Sequence, residues 1–160
     1  MADRLDELET LYRGRLSAFL RVALAVVGDE QGARDAVHDG FVLAVRKRER
    51  LRDDAALEPW VWRIVVNEAR KRRRREARLA PWPEDEVEGY GPTELNVDVR
   101  AVVAALPERQ RLALFLRYYA DLDYAAIAAA LQVRPGTVAA TLSAAHSTLR
   151  SQLEGEPCPV

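Results

Sequence analysis

Leu5, Leu8, Leu11, Tyr12, Leu16, Phe19 and Leu20 recur along the start of the chain at steps of three and four, the spacing of one apolar helix face. A second such face follows in Ala33, Val37, Phe41, Ala44 and Val45, with Asp29 placed to cap the helix that carries it. "RDDAALEP" then breaks the pattern as a loop. "WVWRIVVNEARKRRRREARL" restores it as a third long helix, with Pro59 in its first turn. No alternation of apolar and polar positions is sustained anywhere, so no strand is predicted. Residues 80–97, "APWPEDEVEGYGPTELNV", hold three prolines, two glycines and five acids, a composition suited to an extended linker. Beyond it, four helical pieces are separated by "LPE", "ADLD" and "QVRP". The last two form the outline of a helix-turn-helix: Asp123 caps a short helix with Ile127, Ala128 and Leu131 inward, and a helix from Pro135 carries Val138, Leu142, Ala145 and Leu149. The expected fold is therefore all-α, with helical domains at 1–79 and 98–153, an acidic Pro-rich linker at 80–97 and a tail at 154–160.

Composition narrows the chemistry. The apolar fraction of 49% supports compact cores, and no apolar run reaches the roughly 18 residues of a membrane span. The polar, acidic N-terminus does not resemble a signal peptide, and Cys158 is the only cysteine, as fits a reducing cytoplasm. With only His38 and His146 besides, a metal site has no support, and no cofactor is expected. No phosphate-binding glycine loop and no nucleophile–base spacing is present, so the chain reads as a non-enzyme. Charge is divided unevenly. Residues 1–80 carry 18 Lys/Arg against 14 Asp/Glu, and residues 81–160 carry 6 against 11. Contact with a polyanion therefore belongs mainly to the first half.

Two stretches there could make it. Arg70 to Arg75 is an unbroken run of cations, followed by Arg78. It is either a solvated helix end or a contact to phosphates. Trp60, Ile64 and Asn67 share one face of the same helix, and Trp62 lies on another. One indole should be core and the other nearer the surface. Trp62, Arg63 and Asn67 form a candidate surface for unstacked bases, which stack on rings and hydrogen-bond to Arg and Asn. In the second helix of the helix-turn-helix, from Pro135 to Leu149, there is no Lys and no Arg.

These segments together resemble the extracytoplasmic-function sigma factors, two-domain initiation factors of bacterial RNA polymerase. "ARDAVHDGF" is similar to the family's A-E-D-L-V-Q-E-x-F, and "WVWRIVVNEARKRRRRE" to W-L-Y-R-I-A-x-N-x-x-x-D-x-x-R-R. "LPERQRLALFLRYYADLDYAAIAAAL" and "GTVAATLSAAHSTLR" resemble the family's second-domain motifs. The resemblance implies that Asp35, His38, Asp39 and Phe41 dock on the β′ clamp helices of core RNA polymerase. It implies that the first domain opens the −10 promoter element and captures a flipped base, a role that maps to the loop Arg52–Pro59 and to Arg63 and Asn67; the aromatic surface and the cationic run add Trp62, Arg70 and Lys71 to the expected −10 contacts. The second domain would meet the β flap and place Arg134, Thr137, Ala140, Thr141 and Ala144 at the −35 element. Promoter DNA and an anti-sigma factor are the other implied partners, the free protein being a cytoplasmic monomer without membrane insertion.

The chain departs from the family where the −35 element is read. Ala139, Ala140 and Thr141 stand for its Lys, Ser and Arg, Ala144 and His146 for a later basic pair, and Gln132 for the glycine of the turn. Each lost phosphate contact weakens binding and flattens its salt dependence, and guanine readout by Arg or Lys is lost as well. Either the helix still binds through its N-terminal amides, threonines and alanines, or the domain has become a protein-binding module of a sigma-like adaptor or decoy, or the chain is a weakened sigma-like regulator whose promoter contact rests on the first domain. A stand-alone dimeric repressor is a further reading, opposed by the motifs of the first half.

Overall fold

The computed structural model describes residues 3–77 and 97–154, the side chains of 77, 97, 98 and 100 excepted. The expected linker up to residue 96, Arg78, the tail and Cys158 lie outside these residues. Three helices make the first block: α1 (Arg4–Val27), α2 (Glu30–Lys47) and α3 (Leu57–Ala77), with short 3-10 turns at Arg48–Arg50 and Asp54–Ala56 between the last two. Four make the second: α4 (Val97–Ala105), α5 (Glu108–Tyr118), α6 (Tyr124–Leu131) and α7 (Pro135–Leu153).

The turns follow local chemistry. Gly28 adopts φ 89°, which an L side chain resists, and so ends α1 sharply. Asp29 then accepts from the Gly32 amide at 2.6 Å and starts α2. Asp123 caps α6 in the same way, accepting from Ala126 N at 2.8 Å. Gln132 ends α6 in the left-handed region, φ 56° and ψ 46°, where a glycine would sit without strain. Pro135 opens α7, which turns 97° away from α6. That is the angle of a helix-turn-helix.

The first block closes around a line of four rings. Tyr12 meets Phe41 edge-on at 5.0 Å, Phe41 meets Phe19 edge-on at 5.0 Å, and Phe19 stacks on Trp62 at 3.8 Å. These rings join α1, α2 and α3, and each pair adds about 0.5–1.5 kcal/mol beyond the area it buries. Trp62 is 0% exposed and its indole N–H donates to Glu58. Gly40 lets α2 press on α3: a Cβ there would lie 2.8 Å from Val65 Cγ2.

The two blocks, expected as tethered units, pack on each other. α5 lies against α1 and α6 against α3. Arg111, buried on α5, donates to Ala104 O at 2.9 Å and Leu106 O at 3.2 Å, fastening the α4–α5 turn, and to Ala25 O of α1 at 2.7 Å. Burial pushes its guanidinium below the ordinary value; nearby Glu108 opposes this and Arg73 adds to it. Arg15 of α1 donates to the Ala120 carbonyl and pairs with Glu58, Arg70 of α3 pairs with Glu108 at 2.8 Å, and Arg21 lies over the Tyr119 ring at 5.0 Å. The physical reason is visible in α1. Val22 to Val27 are all buried, whereas a helix packed on one side only would expose part of such a run.

Candidate nucleic-acid interface

The third helix positions most of the site. Trp60, Arg63, Ile64, Asn67, Arg70, Lys71 and Arg74 recur at three- and four-residue steps and so share one side of α3. They line a groove of about 360 Å³, closed by Leu43 and Lys47 of α2, by Glu68, and by Gln132 from the turn of the second block. Five cations and one acid make it electropositive. Trp60, Arg63 and Asn67 are each partly exposed within it. The groove thus offers an indole for stacking, an amide and a guanidinium for base edges, and cations for phosphates.

Trp62 does not belong to this surface. Its expected place among the DNA-contacting residues is corrected by its complete burial against Phe19. A helix with apolar residues on several sides has two indoles competing for the core, and Phe19 receives Trp62. Trp60 is the surface indole; its i, i+7 alignment with Asn67 is the one signal in the sequence that could have marked it. Arg74 is marked in the sequence only as a member of the cationic run and Lys47 not at all; the helix packing places Lys47 here. The cationic run serves several purposes. Lys71 and Arg74 line the groove, Lys71 also pairing with Glu68 at 3.1 Å, Arg70 pairs with Glu108, and Arg72 pairs with Asp35 of α2 at 2.9 Å.

On the other side of the block, α1 and α2 frame a mainly apolar groove of about 550 Å³, lined by Leu5, Leu8, Glu9, Tyr12, His38, Phe41, Val42, Val45 and Arg46. Leu5 and Tyr12 are unusually exposed for their size, at 42% and 38%. His38 and Asp39 are exposed as expected. Phe41 is only 8% exposed and supports the groove from beneath, and Asp35 is engaged by Arg72 and Gln31. Leu5 and Tyr12 already stood in the apolar stripe of α1, but a stripe does not reveal which of its members remain uncovered.

Helix α7 presents Ala140 and Ala144 to solvent, with Thr137 and Thr141 partly exposed and Arg134 exposed just before its start. Thr141 Oγ1 donates to Thr137 O at 2.7 Å, so that hydroxyl proton is held by the helix itself. Arg109 and Gln110 of α5 stand across a shallow groove from Gly136, Thr137, Ala140, Thr141 and Ala144. The cation that Pro135 to Leu149 lack is therefore supplied beside them by α5. Farther along, Tyr118 and His146 share a hydrogen bond of 2.7 Å.

The described helices, a three-helix block with an electropositive groove and a four-helix block ending in a helix-turn-helix, define a two-part helical transcription factor. Residues 11–79 match the family model of sigma-70 region 2, and residues 96–149 match that of sigma-70 region 4. The chain belongs to the extracytoplasmic-function sigma factors of the sigma-70 family. It is 29% identical over 155 residues to RNA polymerase sigma-E factor of Streptomyces coelicolor, covering 92% of this chain and 86% of that one. It is 28% identical over 154 residues to RNA polymerase sigma-H factor of Pseudomonas aeruginosa, covering 84% and 80%. The fold is shared with the sigma factor RpoE solved in complex with the anti-sigma factor NepR from Bartonella quintana, with a TM-score of 0.74, 22% identity, and coverage of 94% of this chain and 99% of that one. Among the described residues, no single helix is long and apolar enough to cross a membrane.

Proposed function

We propose that this sigma factor opens the −10 element with the groove on α3. The carrying observation is that Trp60, Arg63 and Asn67 line one electropositive groove together with Lys47, Lys71 and Arg74. An unpaired base stacks on the Trp60 indole, Arg63 and Asn67 hydrogen-bond to its edge, and the flanking cations hold the strand. Unstacking a base costs a few kcal/mol, and stacking on an aromatic ring returns about 1–3 kcal/mol per base. The apolar groove between α1 and α2 docks on the β′ clamp of core polymerase, with Leu5 and Tyr12 as anchors and His38 and Asp39 at its margin. The helix-turn-helix meets the −35 element through the amides at the start of α7, Thr137, and Arg109 and Arg134 alongside, with the β flap behind it. Work with core polymerase places the protein in the cytoplasm. An anti-sigma factor is the further partner.

The test replaces Arg63 and Asn67 by alanine in the full chain and follows promoter opening by permanganate reactivity of unpaired thymines. Opening is lost while binding to core polymerase is kept. Unchanged opening would refute the assignment. The uncharged face of α7 favours a second reading, an adaptor that binds polymerase without selecting a promoter. Run-off transcription over a random promoter library separates the two, since only a working sigma factor recovers a consensus.

A further inference from the structure

Three cations in the α3 groove have no counter-charge. Arg70 is paired with Glu108 and Lys71 with Glu68, whereas Lys47, Arg63 and Arg74 meet no acid and no carbonyl oxygen among the described residues. Like charges gathered in this way repel one another, and an anion relieves them. The groove also offers recognition beyond charge. The Trp60 indole is partly exposed in it, and Asn67 stands about 10 Å farther along the same helix at its ordinary rise. Helical Cα–Cβ bonds tilt toward the N-terminus, so those of Lys71 and Arg74 lean back toward Asn67. Gln132 brings a second amide from the other block. A ring at one end, amides in the middle and cations beyond them match a base, its sugar and the phosphates the sugar carries.

Size narrows the ligand further. The groove encloses about 360 Å³. That lies in the lower part of the roughly 300–1,000 Å³ range of small-molecule sites. Such a volume takes one nucleotide, whether that nucleotide belongs to a strand or is free in solution. We propose that the α3 groove of the free protein binds a soluble nucleoside triphosphate, with the base stacked on Trp60 and the phosphates among Lys47, Lys71 and Arg74. A triphosphate suits the groove better than a monophosphate, because three uncompensated cations meet its charge. The inference needs only the groove, its indole and its charges, and so goes beyond the reading of that groove as the −10 contact. Where both hold, a bound nucleotide leaves before an unpaired promoter base enters.

Calorimetric titration of the full chain, at one salt concentration, compares ATP, inorganic tripolyphosphate and adenosine. ATP binds saturably and about tenfold more tightly than tripolyphosphate, the increment of one stacked base. Adenosine, lacking the charges, binds more weakly than ATP. Trp60→Ala removes the increment, so that ATP falls to the level of tripolyphosphate, and Trp60→Phe, which keeps a ring, restores most of it. Lys47→Ala with Arg74→Ala weakens ATP and tripolyphosphate together, a readout that leaves the indole in place. Equal affinity of the unaltered protein for ATP and tripolyphosphate would mean adsorption by charge alone and overturns the proposal. An ATP preference that survives Trp60→Ala also overturns it, since the nucleotide then sits elsewhere. A single-stranded 12-mer of mixed sequence separates the two sources of a base: if the 12-mer depends on Trp60 and ATP does not bind, the groove takes strands alone and the proposal falls. The −10 reading fails separately, because Arg63→Ala with Asn67→Ala would then leave promoter opening by the holoenzyme intact, whatever the nucleotide titrations show.

Discussion

Trp62 is stacked on Phe19 and wholly buried, while Trp60, two residues earlier, is partly exposed in the α3 groove. Their removal should have opposite signatures. Trp62→Ala leaves a cavity between α1 and α3 and costs about 3–5 kcal/mol of stability in urea unfolding. Trp60→Ala changes stability far less, but weakens binding of the holoenzyme to a forked promoter by the loss of one stacked base, about 1–3 kcal/mol. Equal destabilisation by both, with no change in fork binding, would place Trp60 in the core as well. The sequence shows that the two indoles cannot share a face. It does not show which one is inward, because Val61, Ile64, Val65 and Val66 make the surrounding helix apolar on several sides. Arg63 and Asn67 were legible from their spacing along one face, whereas the closure of their groove by Lys47 depends on where α2 lies.

At the scale of elements, α2 and α3 meet closely at a residue with no side chain. A Cβ on Gly40 would lie 2.8 Å from Val65 Cγ2 and 3.1 Å from Val65 Cα. Gly40→Ala should therefore force α2 from α3 and cost about 1–3 kcal/mol. Adding Val65→Ala removes the methyl but not the backbone contact, so the double variant recovers part of the loss relative to the sum of the singles, a coupling that a double-mutant cycle in urea unfolding measures. Additive costs would mean that the helices do not meet there. Caps and starts were the most legible elements: Asp29, Asp123 and Pro135 begin helices where their chemistry says they should. The 3-10 turns between α2 and α3 were not, since three residues carry no periodicity. Gln132 adopts the left-handed conformation where the resemblance had placed a glycine, at a strain of about 1 kcal/mol.

Across the whole molecule, the excess of cations in the first half and of acids in the second assigns the larger electrostatic share of promoter binding to the α3 side. Thr141→Arg with Ala144→Arg tests whether α7 approaches DNA. If it does, holoenzyme affinity for duplex promoter rises at low salt, and the slope of log affinity against log salt steepens by up to about 2, one unit for each new phosphate contact. No gain at low salt would leave α7 away from the duplex. The order of helices and their division into two blocks were readable from composition and periodicity. The packing of one block on the other was readable only from the run "VALAVV" in α1, apolar on every side, whose second covering surface lies nearly ninety residues farther along the chain.

The Arg111 guanidinium reaches across the molecule to a main-chain oxygen at Ala25, and Arg15 does the same at Ala120. Any amino acid could supply those oxygens. Over generations, the hydrogen bonds themselves therefore place no demand on the side chains at 25 and 120, which burial alone keeps small, and no compensating replacement is demanded of the arginines. The joint between the halves can outlast much divergence in sequence while leaving little record of paired substitutions.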